Sequence, residues 1–346
     1  MAPIKREPFG GEKSGVTKLT LTNAQGAEVT ILDYGAYLTS WKIKDRNGQI
    51  VDILLGYETL EDYKADGLYV GAPVGRVANQ IPGGKFKMDG KEYQLNINWV
   101  SNGNHIHGGI DNFSKKMWRI VDVNEKKNSV TLALTEMDGE NGYPGTLDTT
   151  LCYELRDNGE LMISYVANTD KKTIVNLSNH AYFNLTGEGT QTLHDHTFQV
   201  DAQKYISYDG DYVLTGQRHH VEGSKFDLRQ PITAGQNGPD KIVYSAFYCL
   251  SDKDDHHMKH VARVHSSTTG LCLQVSTDQP AVQFHTCSNF SVAKGKGGKP
   301  YPPFSAFCFE TQGYTSSLFH PDYPPITLAP DETYKATMIY KVTLDK

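Results

Sequence analysis

The chain has 346 residues and a formal net charge of −6. Proteins that bind nucleic acid or anionic membranes usually carry strong basic patches, so the composition argues against both kinds of partner. The chain contains 20 tyrosines, and aromatic residues make up 10% of it. Because aromatic side chains pack well on pleated surfaces, this content favours a protein rich in β-strands.

The cysteines and the amino terminus predict the cellular compartment of the chain. The five cysteines are scattered, odd in number and without a Cys-x-x-Cys pair: Cys152, Cys249, Cys272, Cys287 and Cys308. This pattern argues against a disulfide framework or a zinc ribbon and predicts reduced thiols. The first residues lack the apolar segment of a signal peptide, and no apolar run reaches the roughly 18 residues of a membrane span. We therefore expect a cytoplasmic chain.

Strand patterns follow one another through most of the sequence. Residues 27–44 form the first strand-rich segment, interrupted at Gly35, and a short helix is predicted at residues 59–64. Residues 85–95 and 147–168 are predicted hairpins, because Asp-Gly and Asp-Asn-Gly turns separate their alternating runs. Further strands are predicted at Ser129–Glu136, 197–200, 245–250, Leu271–Thr277, 281–286, 307–310 and 336–343.

Many strands, few helices and no shift in composition predict an all-β fold. The expected architecture is a large antiparallel β-sandwich that forms one domain over residues 1–346. In the second hairpin Leu151, Tyr153 and Leu155 share one face and Cys152 lies on the other, since side chains alternate along a strand. Composition and periodicity alone predict no function.

The first candidate for chemistry is a pair of histidines, His105 and His107, followed by two glycines. If the segment is extended, both imidazoles point to one side and could bind a metal. A cupin-type metal site usually adds a glutamate a few residues on, and here only Asp111 is offered. The alternative is a tight turn with one buried, hydrogen-bonded histidine, where the glycines let the backbone approach another group closely.

Two further candidates suit acid–base chemistry. His180 lies among polar and aromatic residues, and an imidazole that titrates near neutrality can transfer protons. Glu310 ends the apolar run 306–309, and burial there would raise its pKa toward that of a general base at neutral pH. The alternatives are a hydrogen-bonded core histidine and the first solvated residue after a strand. The remaining histidine clusters, around His196, His219 and His256, are interpreted as solvated loops.

In this order, these segments resemble the aldose 1-epimerase (galactose mutarotase) family. The likeness covers nearly the whole chain and rests on these motifs: Asp33-Tyr34-Gly35-Ala36, Gly56-Tyr57, Gly75-Arg76-Val77-Ala78-Asn79, Asn104-His105-Ile106-His107-Gly108-Gly109, Trp118, Gly142-Tyr143-Pro144-Gly145, Asn179-His180-Ala181-Tyr182-Phe183-Asn184-Leu185, Phe226-Asp227-Leu228-Arg229, Val282-Gln283-Phe284 and Glu310-Thr311-Gln312. The resemblance implies a galactose-mutarotase-like supersandwich with an open sugar-binding cleft. It also implies an isomerase that interconverts the α and β anomers of free aldohexoses such as glucose and galactose, with no cofactor and no metal.

The resemblance also implies residue roles. By the matching motifs His180 is the general acid, Glu310 is the general base and His107 contacts the sugar near its ring oxygen. Residues expected to line the sugar site are Asn79, Gln80, His107, Tyr182 and Gln283. The expected partner is a small sugar, and the expected assembly is a monomer or weak homodimer.

Two positions depart from the family pattern. Gln80 stands where the family usually has an arginine, and Ser245 stands where it usually has an aspartate, with Asp240 as a nearby substitute. These changes keep two alternatives open: a non-catalytic sugar-binding protein, and an epimerase of phosphorylated sugars. The second would need a cationic cluster for phosphate, for which the motifs offer only Arg76, interpreted as structural.

Overall fold

The computed structural model describes residues 3–189, 192–210, 213–234, 244–253 and 255–345. Its strands are β1 Lys5–Phe9, β2 Val16–Thr22, β3 Glu28–Leu32, β4 Leu38–Lys44, β5 Ile50–Asp52, β6 Pro73–Val74, β7 Gln80–Ile81, β8 Lys85–Met88, β9 Lys91–Gln94, β10 His105–Ile106, β11 Arg119–Asn124, β12 Ser129–Glu136, β13 Leu147–Leu155, β14 Glu160–Thr169, β15 Thr173–Ile174, β16 Ser178–Asn179, β17 His196–Val200, β18 Lys204–Tyr208, β19 Leu214–His220, β20 Ile232–Thr233, β21 Ser245–Cys249, β22 Lys259–Ser266, β23 Leu271–Thr277, β24 Ala281–His285, β25 Cys308–Gln312, β26 Thr327–Leu328 and β27 Tyr334–Leu344. Helix α1 spans Leu60–Ala65, and short 3-10 turns lie at Pro82–Gly84, Phe113–Lys115, Glu140–Gly142, Leu193–Asp195, Lys296–Gly298 and Thr315–Leu318.

Three antiparallel sheets dominate the molecule. One has nine strands in the order β11-β12-β13-β14-β27-β23-β22-β17-β20. The other two have five strands each, in the orders β1-β2-β3-β4-β5 and β19-β18-β21-β24-β25. One buried cluster draws side chains from all three sheets, including Leu19, Leu151 and Phe284. The predicted all-β, antiparallel fold class is confirmed, while the single domain stays a prediction.

Local sequence chemistry explains several of these elements. Asp89 and Gly90 both have positive φ (50° and 78°), as a two-residue hairpin turn between β8 and β9 requires. The Thr59 side chain accepts a hydrogen bond from the Asp62 N–H and so caps α1. Between β3 and β4, Gly35 has φ 64°, and a Cβ there would lie 2.4 Å from the Ser114 carbonyl oxygen. The predicted hairpins, helix and strand break are therefore confirmed.

The second hairpin also confirms its predicted faces. Leu151, Tyr153 and Leu155 are at most 1% exposed, whereas Cys152 and Glu154 are partly exposed. Fully burying a leucine contributes roughly 1.5–3 kcal/mol, so this face helps to hold β13 on the core. Among the described residues, no helix is long and apolar enough to cross a bilayer.

Several sequence interpretations are wrong. His219 and His220, interpreted as a solvated loop, are exposed but lie in strand β19. The strand predicted at 307–310 runs instead over Cys308–Gln312, so Glu310 lies in its middle and not at its end. His196 was placed in a solvated loop, but it begins β17, is 0% exposed and pairs with Asp195 at 2.8 Å. The local sequence is polar, yet the imidazole accepts the Leu185 N–H through Nε2 at 2.9 Å, which anchors that side of the ring in the core.

Candidate active site

Strands β24 and β25 present one polar face. In their register Gln283 lies opposite Glu310, and His285 lies opposite Cys308. Directly opposite residues project from the same face of an antiparallel pair, so these four side chains share one surface. The phenylalanines between them stack on the other face, with ring centroids 4.6 Å apart, inside the core.

This polar face lines a cleft of about 830 Å³. The cleft gathers every residue that the sequence predicted for the site: Asn79, Gln80, His107, His180, Tyr182, Gln283 and Glu310. These residues come from segments that are distant along the chain. The tertiary fold therefore brings these residues together, because no single local motif contains them all.

His180 is held by backbone and ring contacts. It follows β16, its N–H donates to the Ala72 carbonyl at 2.8 Å, and its own carbonyl accepts the Gly71 N–H at 3.0 Å. The Tyr182 ring stacks on the imidazole with centroids 4.7 Å apart. His180 Nε2 lies 3.4 Å from Glu310 Oε1. The imidazole and the carboxyl are thus fixed side by side.

Burial shifts the pKa values of this pair in opposite directions. Glu310 is 2% exposed, and desolvation raises its pKa to about 7. Desolvation lowers the pKa of His180 well below its usual value, and the neighbouring His285 and His107 add to this. At neutral pH the unliganded pair therefore favours its proton on the carboxyl. Among the described residues, Glu310 Oε2 is buried and has no hydrogen-bond partner, so its polar demand is not met by the protein.

His107 is a neutral hydrogen-bond donor. Its Nδ1 accepts the Asn79 N–H at 3.2 Å, so the ring proton is on Nε2. Burial, helped by His285, lowers its pKa to about 3. The ring centroids of His107 and His180 are 5.5 Å apart. After His107 the backbone turns at Gly108, where a Cβ would lie 1.7 Å from the Gly75 carbonyl oxygen, as the close approach through a glycine pair predicts.

His105 does not join this site. The extended segment that would align both histidines ends at His107, whose φ is 50°. The His105 ring instead contacts the Asn96 carbonyl at 2.7 Å and the Tyr143 hydroxyl at 2.6 Å. The cupin-like metal pair is therefore wrong, and His105 is the buried, hydrogen-bonded histidine of the alternative interpretation.

A chain of polar contacts crosses the cleft. The Asn79 amide donates to the Tyr208 hydroxyl at 3.4 Å, and Tyr208 donates to Gln283 Oε1. Gln283 Nε2 in turn donates to Ser245 Oγ at 3.4 Å. Ser245 therefore does face the cleft, as its alignment predicts, whereas Asp240 lies outside the described residues.

Gln80 also lines the cleft but is engaged by the protein. It is 8% exposed, and its Oε1 accepts hydrogen bonds from Asn102 at 3.2 Å and Asn104 at 2.9 Å. An uncharged side chain at this position is thus held by two amides.

Tyr208, His285 and Cys287 are among the cleft residues that sequence reasoning missed. His285 lies 4.0 Å from Glu310 Oε1, and its position two residues after Gln283 on one strand could have revealed it. Burial opposes a charged Cys287, but contacts with Cys308 and His285 lower the pKa of its thiol to about 6. Tyr208 has no such signal, because only tertiary structure brings it to Gln283.

Two overlapping side-chain groups have the spacing of metal ligands. His107, His180 and Glu310 form one, and His180, His285 and Cys308 form the other; within each group the ligand atoms lie within 4.8 Å of one another. The first group joins a carboxyl of raised pKa to two neutral imidazoles. Such a set can take a proton from one atom of a bound molecule and deliver one to another.

Comparison with known proteins agrees with this geometry. A family model described as aldose 1-epimerase matches residues 17–341. Human galactose mutarotase is 39% identical over 353 residues, covering 99% of this chain and 100% of that protein. Aldose 1-epimerase of Escherichia coli K12 is 32% identical and covers 93% of this chain and 94% of its own length.

Solved structures show the same fold. A GalM/aldose epimerase homologue from C. elegans superposes with a TM-score of 0.88 at 25% identity, covering 96% of this chain and 100% of its own. Galactose 1-epimerase from Lactobacillus acidophilus gives 0.81 at 26% identity, covering 99% and 100%. The chain therefore belongs to the aldose 1-epimerase family.

Proposed function

We propose that this protein is an isomerase that interconverts the α and β anomers of free aldohexoses, with galactose and glucose as substrates. The observation that carries the proposal is the buried pair of Glu310 and His180, 3.4 Å apart, inside a cleft large enough for a sugar. The named functions of the relatives, galactose mutarotase and aldose 1-epimerase, support the same activity.

The reaction needs one base and one acid. Anomers differ only at C1, so the ring must open, turn about the C1–C2 bond and close again. Opening removes the proton of the C1 hydroxyl and adds one to the ring oxygen, and closure reverses both transfers. Glu310 takes the hydroxyl proton, and His180 gives a proton to the ring oxygen. No redox step occurs, so the chemistry calls for no nicotinamide.

The pKa values indicate which of Glu310 and His180 holds the proton at each stage of this cycle. Ring opening uses Glu310 as carboxylate and His180 as imidazolium, and it leaves Glu310 protonated and His180 neutral. Burial favours this second arrangement in the free site, because it carries no charge. In this cycle the sugar presents its C1 hydroxyl to Glu310 and its ring oxygen to His180. His107, neutral and donating through Nε2, can stabilise negative charge that develops on the ring oxygen.

Two alternatives receive less support. A phosphorylated substrate needs a cluster of cationic groups, yet Arg76 is 0% exposed and pairs with Glu136 at 2.7 Å. Among the described residues that line the cleft, Lys225 is the one lysine or arginine, and a single cation is no cluster. The alternative of a non-catalytic sugar-binding protein rests on Gln80 and Ser245 alone. Such a protein gains nothing from a buried carboxyl of raised pKa beside an imidazole, because that arrangement costs folding stability.

We also propose a cytoplasmic location and a monomer or weak homodimer. The first proposal is supported by five unpaired cysteines, which suit a reducing compartment. Size-exclusion chromatography with light scattering would test the second.

The test is polarimetry with freshly dissolved α-D-galactose and α-D-glucose. We expect the protein to accelerate the decay of the excess rotation on both sugars, to the same equilibrium value as the uncatalysed reaction. No acceleration on either sugar by folded protein would contradict the proposal. If binding of either sugar were detected by calorimetry without acceleration, the sugar-binding alternative would be correct.

A further inference from the structure

Two imidazoles and two thiols cluster at the wall of the cleft, and the proposed reaction uses only one of the four. His180, His285 and Cys287 line the cleft, and Cys308 is buried directly behind them. The ligand atoms of His180, His285 and Cys308 lie within 4.8 Å of one another. Cys287 Sγ lies 3.9 Å from Cys308 Sγ, and the Cys287 thiol contacts the His285 ring. Both thiols are free of disulfides.

The fold holds these groups in place. His285 and Cys308 are directly opposite each other in the β24–β25 register. Cys287 follows β24 and has φ 54°, a turn that brings its side chain back to Cys308. His180 reaches the group from the opposite side, with its ring centroid 5.5 Å from that of His285. The cluster thus rests on strand pairing and on a fixed backbone.

This geometry fits a tetrahedral zinc ion. With Zn–S distances of about 2.3 Å, two thiolates on one tetrahedral ion lie roughly 3.8 Å apart. The Cys287–Cys308 sulfur distance of 3.9 Å matches this spacing without movement. The ligand atoms of His180, His285 and Cys308 lie within 4.8 Å of one another, so side-chain shifts can close them around one ion. Cys287 lies outside this group of three and joins it through its contact with Cys308. Thiolates with imidazoles select zinc over magnesium, calcium or manganese.

We propose that the cleft binds one Zn²⁺ ion through His180, His285 and Cys308, with Cys287 as the fourth ligand. The ion takes the lone pair of His180 Nε2 or Nδ1 and occupies space beside Glu310. Zinc therefore competes with the sugar and inhibits the enzyme. The inhibition rests on the proposed function, whereas the binding of zinc does not.

The first experiment is a Co²⁺ titration of the metal-free, full-length protein, followed by displacement with Zn²⁺. We expect one equivalent of cobalt to bind, with the intense visible bands of a tetrahedral ion and a thiolate-to-cobalt charge-transfer band, and zinc to abolish both. This readout needs neither a variant nor activity. Weak octahedral-type absorption without charge transfer would overturn the proposal.

The second experiment compares Cys308→Ser with the matched control Cys152→Ser, whose thiol lies in β13 outside the cluster. Competition with a chromophoric chelator should show zinc affinity reduced by more than about 10–100-fold in Cys308→Ser, because that is the loss typical of an outer-shell partner and Cys308 is itself a ligand. Cys152→Ser should keep the affinity of the unmodified protein. Equal affinity in both folded variants would refute the ligand assignment, and if Cys308→Ser does not fold, the cobalt spectrum decides.

Polarimetry separates the two proposals. Zinc should slow mutarotation, and a chelator should restore it, with higher sugar concentrations weakening the inhibition. A protein that binds cobalt with thiolate bands but never accelerates mutarotation would support the zinc site and contradict the proposed function. If the enzyme is active and zinc does not inhibit it, the proposal of an inhibitory zinc site is wrong.

Discussion

The substitution Glu310→Gln removes the proposed general base but keeps the shape of the side chain. The amide keeps the size of the side chain and its place in β25, opposite Gln283. It cannot accept a proton from the C1 hydroxyl. A positioned general base contributes about 10²–10⁴-fold to rate, so turnover should fall by that factor. This loss corresponds to roughly 3–5 kcal/mol of activation free energy.

The same substitution should make the protein more stable at alkaline pH. The pKa of Glu310 is raised from 4.5 to about 7 in the folded protein. A raised carboxyl pKa means that the folded state holds its proton more tightly, so stability falls as pH rises from the unfolded pKa to the folded one. Above pH 7 the cost reaches up to about 3 kcal/mol. Glutamine carries no charge, so the variant avoids this loss of stability.

Polarimetry and urea denaturation at pH 8 measure both effects. The matched control is Glu92→Gln, the same chemical change at an exposed position in β9. We expect Glu92→Gln to leave the rate and the free energy of unfolding unchanged. A folded Glu310→Gln variant with more than about a tenth of the normal turnover would refute Glu310 as the base. A variant less stable than the control at pH 8 would refute the raised pKa.

Four further predictions concern the surrounding residues. His180→Asn should reduce turnover by about 10²–10⁴-fold in polarimetry while circular dichroism stays unchanged, and near-normal turnover would exclude it as the acid. Because the free pair of Glu310 and His180 loses its single proton near pH 7, kcat/KM measured against pH should be level below neutrality and fall about tenfold per unit above it. A rise in kcat/KM through pH 7 would show that the pair is active after it has lost its proton. Arg76→Met leaves the buried Glu136 unpaired and should lower the free energy of unfolding by about 3–5 kcal/mol in urea, and a loss below about 1 kcal/mol would contradict this role. Tyr208→Phe removes the hydroxyl between Asn79 and Gln283 and should raise KM by about 2–10-fold with little change in kcat, and an unchanged KM would show that these contacts do not order the site.

Much of the fold could be predicted from local sequence, because its signals act over a few residues. Asp89 and Gly90 supply the positive φ angles of a hairpin, and Thr59 supplies a helix cap. The alternation around Tyr153 follows from the period of a strand, and the structure reproduces it. Each prediction rests on one residue's own conformational preference.

The site was predicted less completely, because burial of polar groups depends on distant contacts. Glu310 was placed at the end of its strand, since a carboxylate normally lies in water. It lies in mid-strand because the cleft beside it accepts a polar side chain. His105 and His107 diverge because His107 has a positive φ, which is uncommon outside glycine and which no local pattern marked. Tyr208 comes from a strand 75 positions before Gln283.

The register of β24 and β25 has a consequence for how this protein tolerates change. Glu310 and Phe309 are neighbours on one strand, and they point to opposite faces. A slip of one residue would carry the carboxyl into the hydrophobic core and the phenylalanine into the sugar cleft. An inserted or deleted residue inside either strand therefore damages packing and chemistry at once. A change of length in the connecting segment 286–307 lies outside both strands and leaves the pairing of Gln283 with Glu310 intact.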